Sequence, residues 1–203
     1  MNYFLLIILI ILAFLIGSIP SSVWIGRIFF KVDIRKMGSG NAGATNTIRV
    51  LGWKAGIPVL IIDIFKGWIA VYIANFFLFD FVGNQFIYFK IILATSAVLG
   101  HIFPIYVGFH GGKGVATLLG VGIALFPLAS LIIAGLFLVV LFISRIVSVS
   151  SILSSIAFPI VVIFILNTEE VPLIILSIVV AVFVPITHKN NIKRLLKGEE
   201  KKF

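Results

Sequence analysis

The chain has 203 residues, of which 61% are hydrophobic and 11% charged, and its mean hydropathy is +1.25. A soluble domain carries about 25% charged residues, so the composition excludes an ordinary soluble fold and points to an all-α polytopic membrane protein. The net charge of +9 lies in basic segments that flank apolar runs, which membrane topology explains without nucleic acid, and the lack of cysteine excludes disulfides and thiolate catalysis.

In chain order, the first apolar run covers about 3–26. No basic segment precedes it and no small-residue cleavage site follows, so it reads as a retained span rather than a signal peptide. The segment 27–54 holds Arg27, Lys31, Arg35, Lys36, Arg49 and Lys54 against a single acid, Asp33. A second span, about 54–75, is interrupted by Asp63 and Lys66, and a third covers about 86–104. Two shorter spans, about 115–126 and 127–143, are divided by Pro127. Spans at about 151–166 and 171–187 follow, and then a basic tail from His188.

Seven spans place the termini on opposite sides. With the N-terminus outside, the inner segments hold both basic clusters, Lys113 and Arg145, whereas the outer ones hold Asp80, Glu169 and Glu170. The positive-inside rule therefore puts the C-terminus and every polar cluster on the cytoplasmic side. The whole of 1–203 reads as one integral-membrane domain, without internal repeats.

Two cytoplasmic segments are rich in glycine. Gly38-Ser39-Gly40-Asn41-Ala42-Gly43-Ala44-Thr45-Asn46 leads to Arg49, and Gly111-Gly112-Lys113-Gly114-Val115-Ala116-Thr117 opens a helix. Glycine lets backbone amides approach a ligand closely, and successive amides make an anion nest. Arg49, one turn beyond Asn46, would aim a guanidinium fork at an anion in the first loop. Lys113 and the positive end of the following helix would favour an anion in the second. The bland reading of the first loop is a flexible connector. The second is not a Walker A loop, because Gly114 stands where that motif needs Ser or Thr.

His101 precedes Phe103-Pro104, which suits a helix-ending role, and a continuing last helix would put His188 and Asn191 on one side. Asp63 and Lys66, three apart inside a span, read either as functional charges or as a mutual ion pair. No His-x4-Asp acyltransferase dyad and no Gly-x-Ser-x-Gly elbow is present, and no acidic cluster offers to hold a metal. The residues offer anion binding without a covalent nucleophile and imply no cofactor. That equipment suits a substrate already activated, on which positioning alone supplies about 7–11 kcal/mol.

Asp33-Ile34-Arg35-Lys36-Met37 running into the first glycine loop, with Arg49, Leu51-Gly52, Asp63 and Lys66-Gly67, resembles the first signature of the bacterial acyl-phosphate:glycerol-3-phosphate acyltransferases, the PlsY family. Gly100-His101-Ile102-Phe103-Pro104 through Thr117 resembles the second, and Arg145 to Ser151, which includes Ser150, a third. His188 to Leu195 with Gly198-Glu199 resembles the family's tail, and the Gly17-Ser18-Ile19-Pro20 turn also fits. His110 and Lys189 depart from the pattern, standing where a more basic residue and an arginine are frequent.

The resemblance implies a seven-helix bundle that transfers a fatty acyl group from acyl phosphate to the 1-hydroxyl of sn-glycerol 3-phosphate. The products would be lysophosphatidic acid and phosphate, the opening of bacterial phospholipid synthesis at the inner membrane. It implies Lys113, His188 and Asn191 as catalytic candidates. Phosphate-binding candidates are Ser39, Gly40, Asn41, Thr45, Asn46, Arg49, Gly111, Gly112, Gly114 and Ser150. The expected partners are acyl phosphate, glycerol 3-phosphate and membrane lipids, with both phosphates in one pocket built from the two loops and the start of the tail. The general base is open between His188 and a phosphate oxygen of the substrate. The competing class is a transporter of a small phosphorylated solute, which would need a midplane site reachable from both faces.

Overall fold

The computed structural model describes residues 3–77 and 81–202, so Asp80, assigned above to an outer segment, lies outside the described residues. Every regular element among them is helical. The helices are α1 (Tyr3–Gly17), α2 (Ser21–Phe30), α3 (Ala44–Leu51), α4 (Trp53–Tyr72), α5 (Gln85–Ile102), α6 (Val115–Leu125), α7 (Pro127–Ser144), α8 (Val147–Ile160), α9 (Val171–Thr187) and α10 (Lys189–Leu196). They cluster into two compact units divided between Leu125 and Phe126.

Among the described residues, four stretches are long and apolar enough to cross a membrane: Trp53–Phe76, Gln85–Val107, Pro127–Ser144 and Val147–Ile165. The expected first span is broken. α1 and α2 meet at 43°, because Pro20 lacks the N–H that would carry the helix through Ser18–Pro20. The expected last span, 171–187, coincides with α9, and the chain bends by 60° beyond it into α10. Counting each bent pair as one span gives six. α6, with 11 residues, rises only about 16 Å against a hydrocarbon core of about 30 Å. The sixth span begins at Val147 rather than 151, so most of the expected Arg145–Ser151 loop is the first turn of α8.

In the first unit, small residues let helices touch. Gly67 of α4 faces the Thr117 carbonyl of α6, and Gly120 of α6 faces the Ile64 carbonyl of α4. Gly17 and Gly100 do the same between α1 and α5, against Ala97 and Phe14. Lipid-tail surroundings provide no hydrophobic drive for helices to associate, so close backbone packing of this kind has to hold them. Leu9, Ala13, Ala70, Phe89, Leu93 and Ala97 fill the core between α1, α4 and α5. In the second unit, α8 packs against both α7 and α9. It buries Ser148, Ser150, Ser151, Ser154 and Ser155, while Phe142 and Ile143 of α7 stay exposed.

Candidate active site

In the first unit, the 38–46 loop is folded by its own polar groups. Asn46, 1% exposed, donates from its side-chain amide to the Ile34 and Met37 carbonyls at 3.1 and 3.0 Å. Its amide oxygen accepts from the Ser39 N–H at 2.8 Å. The Gly40 N–H donates to the Met37 carbonyl at 3.0 Å, and the Asn41 N–H reaches the Ser39 hydroxyl at 3.5 Å. Gly38 and Gly40 hold φ of 60° and 74°, and a Cβ on Gly38 would collide with the Asn46 amide.

Two expectations change as a result. The Asn46 side chain shapes the loop rather than facing an anion, and the amides of Ser39 and Gly40 do not form an open nest, since each already has an acceptor. The open donors shift to the start of α3. Gly43 caps that helix without a side-chain acceptor, and first-turn amides, including that of Thr45, have no carbonyl four residues back. Arg49 occupies the last turn of α3 and makes no ion pair among the described residues.

The second loop repeats this logic. The Gly111 and Gly112 amides are bound back to the Ile102 and His101 carbonyls at 3.0 and 3.2 Å, so they template the loop on the end of α5. Gly114, with φ of 85°, turns the chain into α6, whose first turn holds Val115 to Thr117. The two loops meet: a Cβ on Gly112 would collide with His101 Nε2 and lie 2.9 Å from the Ala42 carbonyl. Lys113 is the next residue, half-buried.

Arg35 supplies a further tie that sequence reasoning missed. It donates to Asp33 through Nε and Nη2 at 3.0 and 2.8 Å, and through Nη1 to the Val107 carbonyl at 2.7 Å. Arg27 joins the same carboxylate at 2.7 Å. The Arg35 hydrogen bonds, against some desolvation, hold the Asp33 carboxyl well below the usual range, and Asp33 in turn raises Arg35. The lone acid in a basic segment was the available signal.

Beneath both loops lies the Asp63–Lys66 pair, an ion pair at 2.9 Å with side chains 1% and 3% exposed, which is the second of the two readings above. Lys66 also donates to the Ile19 carbonyl at 2.8 Å, and the Ser21 hydroxyl to Asp63 at 2.7 Å. His110, in contrast, is exposed and its Nδ1 contacts the Gly108 carbonyl.

In the second unit, His188 sits at the bend between α9 and α10, so the two helices are not one continuous rod. Its ring is buried and its Nδ1 lies 2.8 Å from the Val184 carbonyl. A carbonyl only accepts, so Nδ1 carries the hydrogen and Nε2 the lone pair in the neutral ring. Asn191 is nonetheless tied to it, through its N–H to the His188 carbonyl at 2.8 Å.

The Asn191 side-chain amide donates to Glu200, as do Ser148 at 2.8 Å and Arg194 at 2.7 Å. Burial opposes ionisation of Glu200, but these donors outweigh it and hold the carboxyl below its ordinary value. Ser150 is not among them. Its hydroxyl bonds back to the Ile146 carbonyl at 3.0 Å. Ser148, Arg194 and Glu200 are the residues missed here, because an acid at the end of a basic tail reads as solvated charge. No group of three or more acids, histidines or cysteines arranged for a metal occurs among the described residues.

An all-helical integral-membrane fold with glycine-shaped cationic loops defines the class. The family profile described as "Glycerol-3-phosphate acyltransferase" matches residues 7–198. A Fusobacterium nucleatum protein of that name is 46% identical over 194 residues, covering 96% of both chains. A Staphylococcus carnosus one is 44% identical over 199, covering 97% of both. A crystal structure of PlsY (YgiH), an integral membrane glycerol 3-phosphate acyltransferase in its glycerol 3-phosphate form, superposes with a TM-score of 0.85 at 35% identity, covering 98% of this chain and 95% of that one. A lysophosphatidic acid form of the same protein gives 0.83 at 34%. The chain belongs to the glycerol-3-phosphate acyltransferase family and is a multi-pass membrane enzyme.

Proposed function

We propose that acyl phosphate is the donor from which this glycerol-3-phosphate acyltransferase acylates the 1-hydroxyl of its acceptor, releasing inorganic phosphate and lysophosphatidic acid. The observation that carries this reading is the meeting of the two glycine loops at Ala42 and Gly112, one residue from Lys113. The related crystal structures carry glycerol 3-phosphate and lysophosphatidic acid, which supports the same acceptor and product here.

In the proposed chemistry, the acceptor hydroxyl attacks the acyl carbonyl and the acyl–phosphate bond breaks. Lys113 neutralises charge developing on the leaving phosphate. Arg49, Ser39 and the first-turn amides of α3 hold a phosphate, with Gly40, Asn41 and Thr45 shaping that edge. The α6 start, with Gly111, Gly112 and Gly114, does so from the other loop. Asn191 orients the acceptor. The Nε2 lone pair of His188 and a substrate phosphate oxygen are the two candidate acceptors for the hydroxyl proton. Phosphate is a good leaving group, so positioning and charge stabilisation suffice without a covalent nucleophile.

The topology reading places the N-terminus outside and all of these residues at the cytoplasmic face of a bacterial inner membrane, with membrane lipids around the acyl chain. α6 then counts as a short seventh crossing, a mismatch that local bilayer thinning accommodates. The lysine and arginine distribution supports this orientation. The family match runs across the boundary between the two units, which supports a single acyltransferase domain over 1–203. Purified protein supplied with acyl phosphate and glycerol 3-phosphate should release phosphate and form lysophosphatidic acid in equal amounts. Product formed only from another acyl donor would reject acyl phosphate as the substrate.

A further inference from the structure

We infer that Asp63, Lys66 and His101 form a positioning network that sets Lys113, with His101 as a strut between a buried ion pair and the backbone of Gly112. The inference rests on the catalytic reading of Lys113 above.

The three side chains are 1%, 3% and 6% exposed. Burying ionisable groups costs several kcal/mol each, and well-packed hydrophobic replacements are often equally stable. Stability alone therefore gives no reason for this trio, whereas geometry does. Together the three tie α4 to the turn before α2 and to the end of α5. Lys66 donates to the Ile19 carbonyl, which also accepts the Ser21 N–H at 3.1 Å, and Asp63 accepts from the Ser21 hydroxyl at the start of α2. His101, at the end of α5, presents Nδ1 to Asp63 at 3.7 Å.

The opposite edge of the same ring meets the loop. Nε2 lies so near Gly112 that a Cβ there would collide with it. Gly112 is also pinned by its N–H bond to the His101 carbonyl, and the Ala42 carbonyl borders the same face of Gly112 as Nε2. The segment carrying Lys113 is thus packed against both an imidazole edge and the first loop. Withdrawing the ring would open a gap beside Gly112, and Lys113 would lose its set position. A displacement of about 1 Å can cost on the order of 100-fold in rate.

The test exploits the two ends of the imidazole. Asparagine reproduces the Nδ1 position and glutamine the Nε2 position. In full-length detergent-purified enzyme, His101→Ala should lower kcat by about 30-fold with KM for both substrates within about 3-fold. His101→Gln should recover at least about 5-fold over His101→Ala, and His101→Asn should not. In a Lys113→Ala background, the His101→Ala change should cost less than about 3-fold, because the strut acts through Lys113.

A residue needed only to satisfy the Asp63 carboxylate would give the opposite ranking, with Asn at or above Gln, and losses that multiply in full; either result overturns the inference. If His101→Ala does not fold, the Gln and Asn variants decide alone. Labelling of Lys113 by an amine-reactive reagent, read by mass spectrometry, supplies the same ranking without turnover. Its rate should stay within about 2-fold of the parent in His101→Gln and change by more than about 5-fold in His101→Asn; equal rates overturn the strut. Unchanged activity of Lys113→Ala refutes the catalytic reading instead, whatever the labelling shows.

Discussion

Asn46 reaches back across seven residues to hold Ser39, its side-chain oxygen accepting the Ser39 N–H at 2.8 Å. One buried amide thereby sets the curvature of the first glycine loop, because its hydrogens are at the same time given to Ile34 and Met37.

Asn46→Asp tests that relationship with an isosteric change. The aspartate keeps an acceptor for Ser39 but turns oxygen toward two carbonyls. A buried acceptor facing acceptors loses two hydrogen bonds and adds repulsion, so the loop should be destabilised by about 3 kcal/mol. Thermal unfolding of the purified protein should show the loss, and kcat/KM should fall at least about 10-fold.

Gly38→Ala attacks the same turn through the backbone. At φ of 60° a side chain is strained, and the new methyl would run into the Asn46 amide. Together these cost about 2–4 kcal/mol locally. The expected readout is a larger KM for glycerol 3-phosphate, with the far-ultraviolet helical signal unchanged.

Lys113→Ala should lower kcat/KM by about 100-fold, the loss typical of removing one donor to developing transition-state charge. Lys113→Arg keeps the charge and should retain more activity than Lys113→Ala. Steady-state phosphate release measures both.

Glu200→Gln gives a pH-dependent signature. The folded carboxyl titrates below its unfolded value of about 4.3, so its stabilisation is complete above that pH and fades as the pH falls through the folded value. At pH 7 the variant should be less stable on the order of 2 kcal/mol, having lost charge-assisted bonds from Asn191, Arg194 and Ser148. Unfolding temperatures measured from about pH 7 down to about pH 3.5 should show the gap between parent and variant closing at the acid end.

Composition alone determined the class. Apolar runs of span length with few charges cannot be a soluble fold, and the spacing of lysines and arginines carries an orientation. The glycine loops were legible as backbone devices, and their residues also carried the family resemblance. The sequence did not reveal which amides those loops consume. Ser39, Gly40, Gly111 and Gly112 all look like ligand donors until the Asn46 oxygen and the carbonyls of Met37, Ile102 and His101 are seen to take their hydrogens. The fate of Asp63 and Lys66 was equally undecided, since a spacing of three permits a pair without requiring one. Tertiary structure decided it by burying both side chains where neither could stay charged alone. It also drew in partners that sequence distance hides, Ser21 from 42 positions away and Ile19 from 47. Local pattern specifies what a segment can form; only packing settles which donors are already spent, because hydrogen bonds and burial depend on residues that the fold brings from elsewhere in the chain.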